Sequence, residues 1–188
     1  MSLLATSHAD GADKVKCPVV KVEVERLPDM NVPRSGHSVF MANGEVTVAG
    51  GHTSGFVLTP TAEYLKEGEW HLLQTAYTHD GGISIVMKSG EVLLAGGFKD
   101  NLGIGQSFEV ELYNPVTHQC KGFGCLDQKR ASGATLELDS GRVVIAGNWY
   151  ADDAIEIFDG KPTFSHVRGV SQSRCLPHIF RTSNGDAM

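Results

Sequence analysis

The 188-residue sequence has no apolar run approaching the roughly 18 residues that a membrane-spanning helix requires, so no such span is predicted. It has no surplus of positive charge. With 16 Lys+Arg against 22 Asp+Glu the formal charge is −6, and such a chain gains no counterion-release energy from phosphates, which argues against nucleic-acid binding. Cysteine is sparse: Cys17, Cys120, Cys125 and Cys175. Only Cys120 and Cys125 lie close together, with no further Cys or His at ligand spacing, so neither a zinc ribbon nor a disulfide framework follows. Between Met1 and Asp13 no basic segment precedes an apolar core, so there is no intact signal peptide. Met1-Ser2-Leu3 reads as a possible cloning remnant, which leaves the compartment open. Gly-x-Ser-x-Gly, phosphate-loop, His-Glu-x-x-His and dinucleotide-binding motifs are all missing.

What the sequence does have is glycine, 22 residues of it, placed periodically. The segments Arg34–Gly44, Asp80–Gly90 and Ala131–Gly141 align without a gap, and a fourth begins at Cys175 and closes on Gly185. The closing glycines are 46, 51 and 44 residues apart. Each of the first three segments runs on into an apolar stretch: Glu45-Val-Thr-Val-Ala-Gly-Gly51, Glu91-Val-Leu-Leu-Ala-Gly-Gly97 and Arg142-Val-Val-Ile-Ala-Gly-Asn148. Repetition at this period marks a stacked array of supersecondary units.

Gly44, Gly90 and Gly141 each separate two apolar stretches, where a hairpin turn needs positive φ. The first unit therefore opens with strands over Ser38–Ala42 and Glu45–Ala49. The second strands are almost wholly apolar, as in a strand covered on both faces. The Gly-Gly that follows removes side chains where backbones crowd together. Third strands follow at Thr61–Leu65, Val110–Asn114 and Ile155–Asp159, carrying Glu63, Glu111 and Glu156 at one repeat position. That regularity predicts a structural role for the three glutamates, satisfying backbone or arginine groups. A fourth strand is marked by Trp70, and more weakly by Cys120 and Phe164.

Four short strands per unit of about 50 residues, with Gly-Gly after the second, is the pattern of a propeller blade. From Val19 onward the chain resembles the kelch repeat of galactose-oxidase-like β-propellers. The likeness is carried by Gly50-Gly51, Gly96-Gly97, Glu111-Leu-Tyr113-Asn114-Pro115 and Trp70; the third unit departs with Gly147-Asn148 and lacks a following Trp. The resemblance implies an all-β fold of four-stranded antiparallel blades in an incomplete ring. The expected organisation is a disordered leader or cloning remnant over 1–18, a lone outer strand over 19–32 in which Val20, Val22 and Val24 point inward, blades over 33–78, 79–129 and 130–173, and a cut-short fourth blade over 174–188. An open arc exposes apolar faces, so the chain is a piece of a longer protein, or two copies close one ring as a homodimer, or the fold is an unusual small or distorted β-fold.

Propellers of this type bind ligands at one mouth, where the loops after the second strand meet those between blades. The candidates there are Arg34, His52, His79, Asp80, Arg130, Trp149, Tyr150, Asp152, Asp153 and Arg174. The recurring arginines suit an acidic group on a peptide or sugar acid, and Trp149-Tyr150-Ala-Asp-Asp153 suits sugar stacking and hydroxyl recognition. Neither His52 nor His79 has a carboxylate at the short spacing a metal site wants, so no metal or other cofactor is predicted. The resemblance thus implies a module binding a protein or sugar, without catalysis of its own. The alternative is a carbohydrate-acting enzyme similar to N-acetylneuraminate epimerase or galactose oxidase, although no copper-binding cluster of tyrosines and histidines is present.

Overall fold

The computed structural model describes residues 22–101, 103–150, 155–167 and 174–188. Residues 1–21 lie outside it, and with them Val20, Cys17 and the expected leader; so do Asp152 and Asp153. Among the described residues no helix is long and apolar enough to cross a membrane.

The chain is all-β. Strands β1 (Ser38–Ala42), β2 (Glu45–Ala49), β5 (Thr61–Lys66) and β6 (Glu69–Gln74) form one antiparallel sheet, with the short pair β3 (His52–Thr53) and β4 (Val57–Leu58) folded back in the loop after β2. Strands β7 (Ile83–Val86), β8 (Val92–Ala95), β9 (Ser107–Asn114) and β10 (Gln119–Arg130) form the second sheet. The third is β11 (Ala134–Glu137), β12 (Val143–Ala146), β13 (Ile155–Phe158) and β14 (Ser165–Val167). In each sheet the strands lie in chain order, and β7 packs beside both β1 and β11. First strands are therefore innermost and no sheet closes, the arrangement of an incomplete propeller.

The apolar second strands explain why the sheets stack. Val92, Leu93, Leu94 and Ala95 of β8 are all buried, because β8 is covered from both sides. Val92 and Leu94 pack with Ala42, Ala49 and Ala62 of the first sheet. Leu93 and Ala95 pack with Val143, Ile145 and Phe158 of the third. Small alanines on one side and larger side chains on the other let the layers interlock at the density of a protein interior.

Two expectations are corrected. Val22 and Val24 lie in no strand and are 66% and 75% exposed, so the alternation there is not that of a half-buried outer strand. Alternation buries a side chain only where a neighbouring sheet edge offers a surface, and among the described residues no strand pairs with Val22 or Val24. The gap-free alignment also slips. Asn43-Gly44 is a two-residue turn between paired Ala42 and Glu45, whereas the partners Val86 and Val92, and Glu137 and Val143, are each joined by five-residue loops. Every position before the hairpin therefore shifts by one, and Arg34 corresponds to His79, Arg130 and Arg174 rather than to Asp80, Ala131 and Cys175.

Candidate functional site

With that register, the joint at the start of each sheet is the same object three times. Glu63, Glu111 and Glu156 stand opposite Val48, Leu94 and Ile145 and are completely buried. Glu63 accepts hydrogen bonds from the amides of Asn31 (2.7 Å) and Val32 (3.0 Å), and Glu156 from those of Asp127 (2.7 Å) and Gln128 (3.3 Å). Arg34 donates to Glu63 at 2.7 Å and to Gly50 O at 2.9 Å. Arg130 donates to Glu156 at 2.8 Å and to Gly147 O at 3.0 Å. A buried guanidinium thus bridges a carboxylate and the first glycine's carbonyl, which its planar fork can do without deprotonating. Burial alone would raise the Glu63 carboxyl, but Arg34 and the amides of Asn31 and Val32 outweigh it and hold it below the usual carboxylate range.

The second joint uses other chemistry. Ala76 N donates to Glu111 at 2.6 Å, as Asn31 and Asp127 do in their joints. The cation position is filled by His79, with Nδ1 2.8 Å from Gly96 O and Nε2 3.3 Å from Glu111 Oε1.

The glycines have a matching reason. Gly50, Gly96 and Gly147 all have positive φ, and a Cβ at these positions would run into the carbonyl oxygens of His79, Arg130 and Arg174 respectively. Each first glycine packs against the next unit's cation position. The chain of bonds Gly81 N to Gly36 O (2.7 Å), Ser132 N to Gly81 O (2.7 Å) and Leu176 N to Ser132 O (3.1 Å) laces successive units together. All four residues in this series are left-handed, with φ of 67°, 59°, 58° and 50°. Asn148, which departs from Gly-Gly, is buried. It accepts from Gln106 Nε2 at 2.6 Å and donates to Lys129 O at 3.0 Å, so its side chain ties the loop after β8 to the third sheet.

The sequence candidates therefore divide. Arg34, His79 and Arg130 are buried, with nitrogens held by Glu63, Gly50, Gly96, Glu156 and Gly147, and Arg34 also lines the shallow pocket beside His52 and Phe56. Asp80 is buried and pairs with His52, Nδ1 to Oδ1 at 2.8 Å, joining the loop after β2 to the start of the second unit. Trp149 and Tyr150 are exposed, at 47% and 45%, and Arg174 is exposed. Trp149 meets Phe98 edge-on at 6.1 Å, and Tyr150 Oη donates to Gly103 O at 3.2 Å.

Phe56, 60% exposed and tilted against the His52 ring at 4.7 Å, and the exposed Ile104 lie in the loops that follow the second strands. Pro33, Ser35, His52, Thr53 and Phe56 line a shallow pocket of about 380 Å³ there. Phe56, Phe98 and Ile104 are not among the polar and aromatic residues expected from the sequence. The readable signal was an apolar side chain in a loop rich in Gly and Ser. Among the described residues no group of three or more His, Cys, Asp and Glu is arranged to hold a metal.

No family model matches the chain. A curated relative, the Kelch repeat and BTB domain-containing protein 1 of cowpox virus (strain Brighton Red), is 27% identical over 106 residues. The repeats are similar to kelch repeats. The match covers 56% of this chain and 19% of the relative, about a fifth of that protein's length.

Proposed function

We propose that the chain is a kelch-type propeller module that binds a protein partner through the loops that follow the second strands, with blades over 33–78, 79–129 and 130–173. The observation that carries this reading is that the three loops each offer an exposed apolar side chain at one end of the sheets: Phe56, Ile104 and Trp149 with Tyr150. Large rigid side chains on bonded loops supply contact area at little entropic cost. The buried Arg34 and Arg130 hold the frame, so recognition falls to the loops. The kelch-repeat likeness supports a binding role.

Panning a random peptide library against the chain tests the reading. Selected peptides are expected to lose at least tenfold in affinity when Phe56, Ile104, Trp149 and Tyr150 are changed to Ser, with the thermal midpoint unchanged. Peptides that bind the quadruple variant equally well would place the binding surface elsewhere.

A further inference from the structure

The second joint has one feature that the other two lack, a base that can lose its proton. His79 Nδ1 lies 2.8 Å from the carbonyl oxygen of Gly96, which can only accept, so Nδ1 carries a hydrogen. Nε2 then faces Glu111 Oε1 across 3.3 Å, with the histidine 1% exposed and the glutamate not at all. A neutral imidazole protonated on Nδ1 offers only a lone pair at Nε2, and a carboxylate offers only lone pairs. Two acceptors facing each other without water are costly, and a proton between them removes the conflict.

We propose that the His79–Glu111 pair keeps one proton in the folded chain, as imidazolium facing carboxylate, and that losing it at raised pH loosens the joint between the first and second sheets while the arginine joints hold. One contact argues for the proton sitting on the imidazole. Glu111 Oε2 already takes the Ala76 amide at 2.6 Å, the same bond that the ionised partners of Arg34 and Arg130 accept. The doubly protonated ring then donates to the Gly96 carbonyl and holds its other N–H 3.3 Å from the carboxylate, an ion-pair contact without the closed hydrogen bond of the guanidinium joints.

The other titratable groups packed near the pair are Cys120, Tyr113, Asp80 and, through Asp80, His52. From β10 comes Cys120, whose thiol is pushed up to about 12 by burial and then by the Glu111 charge, so it stays neutral. From β9 comes Tyr113, also pushed up to about 12, first by burial. Asp80, next in the chain, is occupied by His52. Gly50 and Gly51 of the first sheet, and Gly82 and Gly97 of the second, bring only backbone against His79. Loosening is transmitted through that contact, because His79 O accepts from Gly51 N at 3.4 Å and from Gly82 N at 3.2 Å.

The sign follows from linkage. In the unfolded chain a histidine is neutral above about pH 6.5. The folded pair holds one proton more, so stability is full at low pH and falls as pH rises, by at most about tenfold in the folding constant per pH unit. Urea unfolding between pH 6 and 9 of the wild type, His79→Arg and Glu111→Gln tests this. The arginine variant has a permanent cation. The glutamine variant offers Nε2 an amide hydrogen while its oxygen keeps Ala76. Both are expected to flatten the pH dependence by close to one proton relative to wild type; slopes equal to wild type in both would overturn the proposal. If the arginine variant does not fold, Glu111→Gln decides. Nitrogen NMR of the wild-type ring at pH 7.5 is independent of any variant: His79 is expected to show hydrogens on both nitrogens, and a neutral imidazole there would also overturn it.

Discussion

The first and third sheets each bury an arginine that reaches a glycine carbonyl and a carboxylate with one fork, whereas the second reaches the same two acceptors with opposite sides of an imidazole ring. The backbone around all three is the same: a glutamate opposite the second strand, an amide three residues before the cation, and a left-handed residue two after it. The comparison separates what the repeat demands from what it tolerates. It demands two donors aimed at fixed acceptors in a dry cleft. It tolerates either a charge that cannot be removed or one that can.

The largest effects are expected at the joints. Arg130→Ala strands Glu156 as a buried uncompensated charge, which costs about 3–5 kcal/mol. At pH 7 His79→Ala likewise removes the cation facing a buried carboxylate, leaving Glu111 only its Ala76 amide, and should cost a comparable amount. Urea unfolding at pH 7 measures both. Repeated at pH 9, the His79→Ala loss should shrink while the Arg130→Ala loss holds; two losses that stay equal at both pH values would make the distinction between the joints empty.

Glycine substitutions probe the part the joints share. Gly44→Ala puts a side chain at positive φ with nothing within 4 Å, and should cost about 1–2 kcal/mol. Gly96→Ala meets the same backbone penalty and also the Arg130 carbonyl, so its loss in thermal unfolding should be clearly the larger. If the two cost the same, the close approach between successive units is not holding them together.

The smallest effect separates the joints in acid rather than base. The Glu63 carboxyl is held below its ordinary range, so its contribution is present above the unfolded value of about 4.3 and is lost as pH falls through the lower folded value. Unfolding curves between pH 3 and 6 should be flatter for Glu63→Gln than for wild type. An unchanged acid slope would show that Arg34 and the Asn31 and Val32 amides do not hold that proton off.

Much of this frame was legible in the residues. The hairpin Ser38–Ala42 and Glu45–Ala49 was readable to the residue because Asn43-Gly44 sits between apolar stretches. The structural reading of Glu63, Glu111 and Glu156 followed from regular spacing alone, and their hydrogen bonds agree with it. The equivalence of His79 with Arg34 and Arg130 was hidden, because five-residue loops in the second and third hairpins put the glycines one residue out of register with the strands. Arg34 and Arg130 turn inward for a physical reason that spacing does not reveal: a buried glutamate awaits each long charged side chain, whereas Arg174 stays exposed. Asn148 looked like a lapse from Gly-Gly, and only its bonds to Gln106 and Lys129 show what it does. Asp152 and Asp153 lie outside the described residues.

The most direct measurement compares three amides that occupy one position in the three joints: Asn31, Ala76 and Asp127, each donating to its glutamate at 2.6–2.7 Å. Their hydrogen-exchange protection, followed by NMR from pH 6.5 to 8.5 and corrected for intrinsic rates, reports each joint separately. The account predicts that Ala76 loses protection as pH rises, by up to about tenfold per pH unit, while Asn31 and Asp127 keep theirs. If the three hold constant ratios across that range, the second joint does not depend on a proton, and the contrast between histidine and arginine joints is contradicted.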